Sequence, residues 1–352
     1  MLYELYLLFD INVFQYITFR AGFGFILSLF LVLFLMPVYI RWAKSKSFQQ
    51  PIHDSVKQHS IKGKTPTMGG LVFVFATLFS SLMTIHCSNI YAIGGVLAIL
   101  FFSGIGIVDD LGKVLGKKNS GGLSAKMKML LLILLSTIIG VILYNSGFST
   151  ELYMPFMKNS VLEMGIYMIP FAVLVMISTS NAVNLTDGLD GLATVPSIFS
   201  VLTLSIFAYL SGNAILSEYL LLPDIDGIGE VAIIGASLTG ALTGFLWYNA
   251  HPAEVFMGDS GSLAIGGFLG YLAIVTKNEI LLILIGLIFV VEAMTVILQV
   301  ASFKTRKKRI FLMTPIHHHF EMKNWHENKI IVRFWIISLL SNLVALISIK
   351  IR

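Results

Sequence analysis

Residues 22–40 read GFGFILSLFLVLFLMPVYI, nineteen positions without a charged side chain, and Arg41 follows at once. An α-helix rises 1.5 Å per residue, so about 20 apolar residues cross a hydrocarbon core of roughly 30 Å. Nine further runs of this kind follow, at 69–87, 90–108, 129–147, 166–183, 195–211, 231–248, 262–276, 280–303 and 333–349. The eighth carries Gly261, Gly266, Gly267 and Gly270, which suits close helix packing better than contact with lipid. The whole chain is 56% hydrophobic and 12% charged. A soluble domain carries about 25% charge, so this surface is meant for lipid rather than water. The expected fold is an all-α integral membrane protein of about ten transmembrane helices, one polytopic domain over residues 1–352. The opening residues have no basic n-region, so the first apolar run is expected to be the insertion signal. Cys87 is the single cysteine, which excludes an intrachain disulfide and fits a small apolar filler.

Lysine and arginine set the orientation. The connections 41–68, 109–128, 184–195, 249–261 and 304–333 hold 19 of the 24 basic residues. By the positive-inside rule these five connections face the cytoplasm and both termini lie outside. Seven of the eight histidines, all but His86, sit in the same five connections. An active-site cleft is therefore expected on the cytoplasmic face. On the opposite side, Glu218, Asp224, Asp226 and Glu230 lie in one connection without a cation, which reads as a solvated linker. Basic residues that line a membrane face give no reason to expect a nucleic-acid partner.

Five constellations carry the chemistry. Asp109 and Asp110 follow the third run directly. Adjacent carboxylates repel one another and fit poorly against the negative end of a helix dipole, which points to a cation or a lysine beside them. The nearby glycines do not make a nucleotide-binding P-loop, because five residues separate Gly106 from Gly112 and Val114 stands where Ser or Thr is needed. Asn184-Leu-Thr-Asp187-Gly-Leu-Asp190-Gly191 is either an Asn/Asp/Gly turn or an oxygen-rich cation or sugar site, and the spacing is not that of an EF-hand. The stretch from Asn249 to Ser262 includes His251, Phe256 and Asp259. Its Gly-Asp-Ser-Gly string is no serine protease signature without a supporting fold. Asp259 stands at the start of the eighth run, as the cap of that helix or as a hard-metal ligand beside backbone amides able to hold phosphate. His317, His318 and His319 follow the basic run Lys304–Arg309. Successive helical residues turn by about 100°, so the three rings cannot meet at one metal but can reach several oxygens of a diphosphate. Lysines from Lys57 to Lys64, with Thr65, Thr67, Gly69 and Gly70, satisfy the orientation rule and can also steer phosphate. Glu292, mid-run in the ninth segment, must face protein or a wet cleft.

Carboxylates for a divalent cation, with lysine and histidine for phosphate oxygens, are what phosphoryl transfer requires. The strings Thr65-Pro-Thr-Met-Gly-Gly70, Asp109-Asp110-Leu111, Asn184 to Leu192, Phe256 to Ser262 and Pro315 to Glu321 occur in the order found in one enzyme family. In them the chain resembles the phospho-N-acetylmuramoyl-pentapeptide-transferases, a branch of the polyprenyl-phosphate N-acetylhexosamine-1-phosphate transferase superfamily. The resemblance implies Mg²⁺, the substrates UDP-N-acetylmuramoyl-pentapeptide and undecaprenyl phosphate, and a place in the bacterial inner membrane. It implies Asp259 as the Mg²⁺ ligand and Asp109 as the base at the lipid phosphate, with Asp110 beside it. It also implies Asp190, Asn249 and Phe256 as nucleoside contacts. Lys62, Thr67, Lys113, Asn184, Asp187, His317, His318 and His319 would line the substrate site. Family members bend the ninth helix beside a lipid groove, and a homodimer is among the assemblies implied. Direct attack by the lipid phosphate and a two-step route through an aspartyl-phosphate both remain open, as does the sister activity on N-acetylglucosamine-1-phosphate. A secondary transporter is the reading from another class, disfavoured because the charges crowd one interface and no inverted repeat is visible.

Overall fold

The structure, a computed structural model, describes residues 1–46, 48, 65–116 and 121–351. The long helices are α2 (Ile17–Ser45), α4 (Ile90–Gly116), α5 (Ala125–Asn145), α6 (Met168–Thr186), α7 (Thr194–Ser211), α9 (Gly229–Asn249), α12 (Leu287–Arg306) and α14 (Glu327–Ile347). Each of these eight regions is long and apolar enough to cross a membrane. Two shorter apolar helices, α3 (Gly70–Thr84) and α10 (Asp259–Val275), complete the ten expected runs. Short helices α1 (Leu2–Phe9), α8 (Ala214–Leu220), α11 (Leu282–Ile285) and α13 (Ile316–Met322) lie at the ends or between them. A small antiparallel hairpin, β1 (Glu151–Tyr153) against β2 (Ser160–Glu163), precedes α6.

α10 is the axis of the molecule. Every residue from Ser260 to Val275 is buried, against α4, α6, α7 and α3. Its 17 residues reach only about 25 Å, short of a bilayer core. Because protein surrounds it, the helix need not match the lipid. The glycines allow this approach: a Cβ at Gly266 would lie 2.5 Å from the Ser180 backbone of α6, and one at Gly267 would lie 2.3 Å from the Phe102 ring of α4. The outer helices instead turn apolar side chains outward, such as Phe23, Ile26, Phe30 and Phe34 on α2 and Leu130 and Leu134 on α5. With no driving force to hide such side chains from hydrocarbon, this pattern marks the lipid-facing surface.

Three expectations need correction. The third helix does not end at 108: α4 runs on through Asp109 and Asp110 to Gly116. The Asp109–Lys113 pair, one turn apart at 2.7 Å, and packing on α10 hold these extra turns. The ninth run is not one helix. It breaks at Gly286 into α11 and α12, a break that hydropathy does not register because glycine is neutral on that scale. Glu230 is no solvated linker residue. It is buried in the first turn of α9, where both Nη atoms of Arg20 donate to its carboxylate at 2.6 and 2.8 Å. The His86 N–H also donates to Glu230, and Arg20 reaches the Thr84 carbonyl, so one ion pair binds α2, the end of α3 and α9.

Candidate active site

At the other end of the bundle, the last turns of α4, the first turn of α5, the end of α6 and the start of α10 meet. Gly258, with φ 75°, turns the chain into α10, and Asp259 is the first helical residue. No side chain within α10 caps its free N–H groups. Asp110 does so from α4: its carboxylate accepts from the Asp259 N–H at 3.1 Å and the Ser260 N–H at 2.9 Å. A side chain at Gly258 would collide with that carboxylate, since a Cβ would lie 2.7 Å from Asp110 Oδ2. Asp110 therefore faces the helix start rather than open space and fixes where Asp259 stands.

Asp109 and Asp259 share two ammonium groups. Lys113 Nζ lies 2.7 Å from Asp109 Oδ2 and 2.9 Å from Asp259 Oδ2. Lys128, from α5, lies 2.8 Å from Asp259 Oδ2 and 3.6 Å from Asp109 Oδ2. The remaining oxygens are also engaged. The Leu123 N–H donates to Asp109 Oδ1 at 2.7 Å, and Asn184 Nδ2 donates to Asp259 Oδ1 and to Ser262 Oγ, both at 2.8 Å. Asp187 lies just past α6. Burial, and then the carboxylates of Asp259, Asp110 and Asp190, push its pKa up to about 8. With Asp187 protonated near neutral pH, three carboxylates against two ammonium groups still leave the site short of positive charge. Its donors are hard oxygens, and two of the carboxylates point at the same spot. That donor set fits a Mg²⁺ ion held by Asp259 with Asp109.

A second group borders the first. Asp190 Oδ2 accepts from the Ala253 N–H at 3.1 Å and sits 2.9 Å from His251 Nδ1. Asp190, His251 and Glu327 each bring one ligand-capable atom to within 4.8 Å of the others. Asn249 is buried and spans its own loop. Its Oδ1 accepts from the Gly191 N–H and the Thr194 hydroxyl, and its Nδ2 donates to the Val255 carbonyl. Phe256 pairs through its backbone with Pro66 and Gly69, and its ring is partly exposed. The Thr67 backbone is tied to Phe48 and to the Tyr39 hydroxyl, while its own hydroxyl is buried with no partner among the described residues. Lys62 lies outside the described residues.

The three histidines take three directions from α13. His317 is buried 3.1 Å from Glu292 Oε1. His318 Nδ1 meets Glu321 at 2.6 Å, and His319 Nδ1 accepts from the Leu312 N–H. Sequence reasoning passed over Lys128, Ser262, Glu327 and the partner of Glu292. Lys128 looked like any other orientation-setting lysine. The others are joined to the site through contacts 25 to 137 residues long in sequence, which leave no local pattern.

Comparison with known proteins finds relatives along the whole chain. A model of the family described as glycosyl transferase family 4 matches residues 92–277, from α4 to just past α10. The chain is 61% identical over 354 residues to the phospho-N-acetylmuramoyl-pentapeptide-transferase of Sulfurimonas denitrificans, covering all of both chains. It is 59% identical to that of Campylobacter lari, over 97% of this chain and 98% of the relative. The protein of the same name from Helicobacter pylori strain Shi470 is 59% identical over the full length of both.

Proposed function

The chain belongs to the phospho-N-acetylmuramoyl-pentapeptide-transferase family, and on that premise we propose its reaction and the residues that carry it. The enzyme transfers phospho-N-acetylmuramoyl-pentapeptide from UDP-N-acetylmuramoyl-pentapeptide to undecaprenyl phosphate, at the cytoplasmic face of a bacterial inner membrane. UMP leaves, and undecaprenyl-diphospho-N-acetylmuramoyl-pentapeptide remains in the bilayer. The observation that carries this reading is the convergence of Asp109, Lys113, Lys128, Asn184 and Asp259 from four helices onto one spot.

Phosphoryl transfer is mostly positioning and charge stabilisation. Lys113 and Lys128 are free to swing from the carboxylates to diphosphate oxygens, where they hold the charge that grows toward the leaving UMP. Asp109 orients the attacking oxygen of the lipid phosphate and takes any proton left on it. Asp110 does not touch substrate; it keeps the first turn of α10 in register, so that Asp259 stays opposite Asp109. Mg²⁺, held by Asp259 with Asp109, would neutralise diphosphate oxygens when bound. Asp190, in the turn after α6, and Asn249 and Phe256, at the end of α9 and in the loop that follows it, border this spot and offer a place for the nucleoside, with Phe256 partly exposed for stacking. Direct attack by the lipid phosphate needs no covalent enzyme intermediate.

The test is UMP release from purified protein supplied with undecaprenyl phosphate and either UDP-N-acetylmuramoyl-pentapeptide or UDP-N-acetylglucosamine. Release with the first sugar alone, lost on chelation and restored by Mg²⁺, is expected. Release with the second sugar alone moves the assignment to the sister branch. Exchange of labelled UMP into the UDP-sugar without lipid replaces direct attack by the covalent route. Assembly as a homodimer belongs to the same proposal and is read from the mass of the protein in detergent.

A further inference from the structure

Glu292 is completely buried on the inner face of α12, with Ile288, Phe289 and Thr295. A carboxylate at this depth is costly unless it is held or used. Among the described residues its one side-chain partner is His317, which is 1% exposed, with Nδ1 at 3.1 Å from Glu292 Oε1. An ionised Glu292 can only accept, and that arrangement requires a proton on Nδ1 and turns Nε2 the other way. That nitrogen, Nε2, is buried with no partner among the described residues. It lies against Gly188, where a Cβ would come within 2.3 Å of it. Gly188 joins Asp187 to the turn that carries Asp190. A histidine whose far nitrogen is fixed by a carboxylate, and whose near nitrogen is left unsatisfied beside a substrate loop, is oriented for something the described residues do not supply.

We propose that Glu292 is a positioning residue for the transfer reaction: it locks the His317 ring so that Nε2 is presented at the Asp187–Asp190 turn, to the sugar diphosphate held there. This rests on the transferase reading above. Glu292 does not touch substrate; it acts through His317. Partners that orient a histidine in this way typically contribute about 10- to 100-fold to activity.

The test compares Glu292→Met, Glu292→Gln and His317→Asn in the UMP-release assay. Methionine supplies no acceptor and leaves the buried His317 Nδ1 unpaired, and removing one partner of a buried pair is strongly destabilising. E292M is therefore expected to melt lower than wild type and, assayed well below its melting temperature, to lose about 10- to 100-fold in kcat. E292Q keeps an oxygen for Nδ1–H and is expected to recover most of that loss. Combining E292M with H317N should slow the enzyme no further than H317N alone, because the two act as one unit. A merely structural Glu292 gives a different result: folded E292M keeps the kcat of the wild type, or its loss multiplies with that of H317N, and either result overturns the proposal.

A second measurement is independent of turnover and needs no variant of Glu292. In ¹⁵N spectra of histidine-labelled protein, the His317 signals are identified by their loss in H317N. A proton on Nδ1 is expected; a neutral ring protonated on Nε2 overturns the proposal even if E292M fails to fold. Absence of UMP release by the wild type would instead count against the transferase reading, and would leave the ¹⁵N result standing on its own.

Discussion

Replacing Asp110 by asparagine tests the idea that one acid sets the position of another. In the structure the carboxylate accepts two backbone N–H groups, from Asp259 and Ser260, and no other side chain caps that helix. Asparagine keeps one acceptor and turns an amide donor toward the second N–H. A hydrogen bond to a charged group is worth about 1.5–3 kcal/mol. Removing the negative charge from a buried helix N-terminus costs up to about 2 kcal/mol. These terms overlap, so a total near 2–3 kcal/mol is reasonable. If half of it appears as displacement of the first turn of α10, the ratio of in-place to displaced Asp259 falls about tenfold, at 1.4 kcal/mol per decade. D110N should therefore melt several degrees lower by circular dichroism in detergent and release UMP more slowly, by up to about tenfold. D110A, with both acceptors gone, should be worse on both counts. A D110N protein with the melting temperature and turnover of the wild type refutes the reasoning, because α10 would then start in place without the cap.

Other perturbations separate the two ends of the molecule. Asp259→Asn should abolish UMP release while the protein stays folded, as judged by its melting curve. Lys128→Gln removes one of two ammonium groups that compete for Asp259; kcat should fall by about tenfold or more, while half-saturation moves to lower Mg²⁺. Arg20→Met leaves Glu230 buried and unpaired, which typically costs 3–5 kcal/mol or about that; melting should drop sharply with kcat near normal at low temperature, and E230M in the same chain should restore most of the stability. Asp187 is held protonated to about pH 8 in the folded chain, against 3.8 as its ordinary value. A raised pKa favours the fold at low pH and is lost as pH rises through it. In chelator, wild-type melting should thus decline between pH 5 and pH 9 more steeply than that of Asp187→Asn.

Much of this was legible in the sequence, and what was not had a physical reason. Apolar runs declare themselves because lipid demands length and composition, so all ten helices could be counted from the chain. Clustering of Asp109, Asp187 and Asp259 could be suspected because each stands beside the end of an apolar run on the same side of the membrane. The division of labour between Asp109 and Asp110 could not. It depends on a 100° step around α4, which sends one carboxylate to the lysines and its neighbour to the amides of α10. Glu230 looked solvated because its cation, Arg20, is 210 residues away. The break at Gly286 was hidden by the apolar residues on both sides of it.

The burial of α10 has a bearing on how the protein is made. Ribosomes deliver the chain from its N-terminus, and α3, α4, α6 and α7 all emerge before residue 259. The slot for α10 is thus built by earlier segments and must wait, lined with polar groups such as the Asp110 carboxylate that have no partner until the helix arrives. A short, glycine-rich segment that lipid would hold poorly is instead received by protein, and its docking both closes the bundle and assembles the catalytic centre. Nascent chains stalled before Asp259 would accordingly be inactive and open to proteolysis, and completing this helix would bring protection first, with full activity waiting for α12 and α13 to deliver Glu292 and His317.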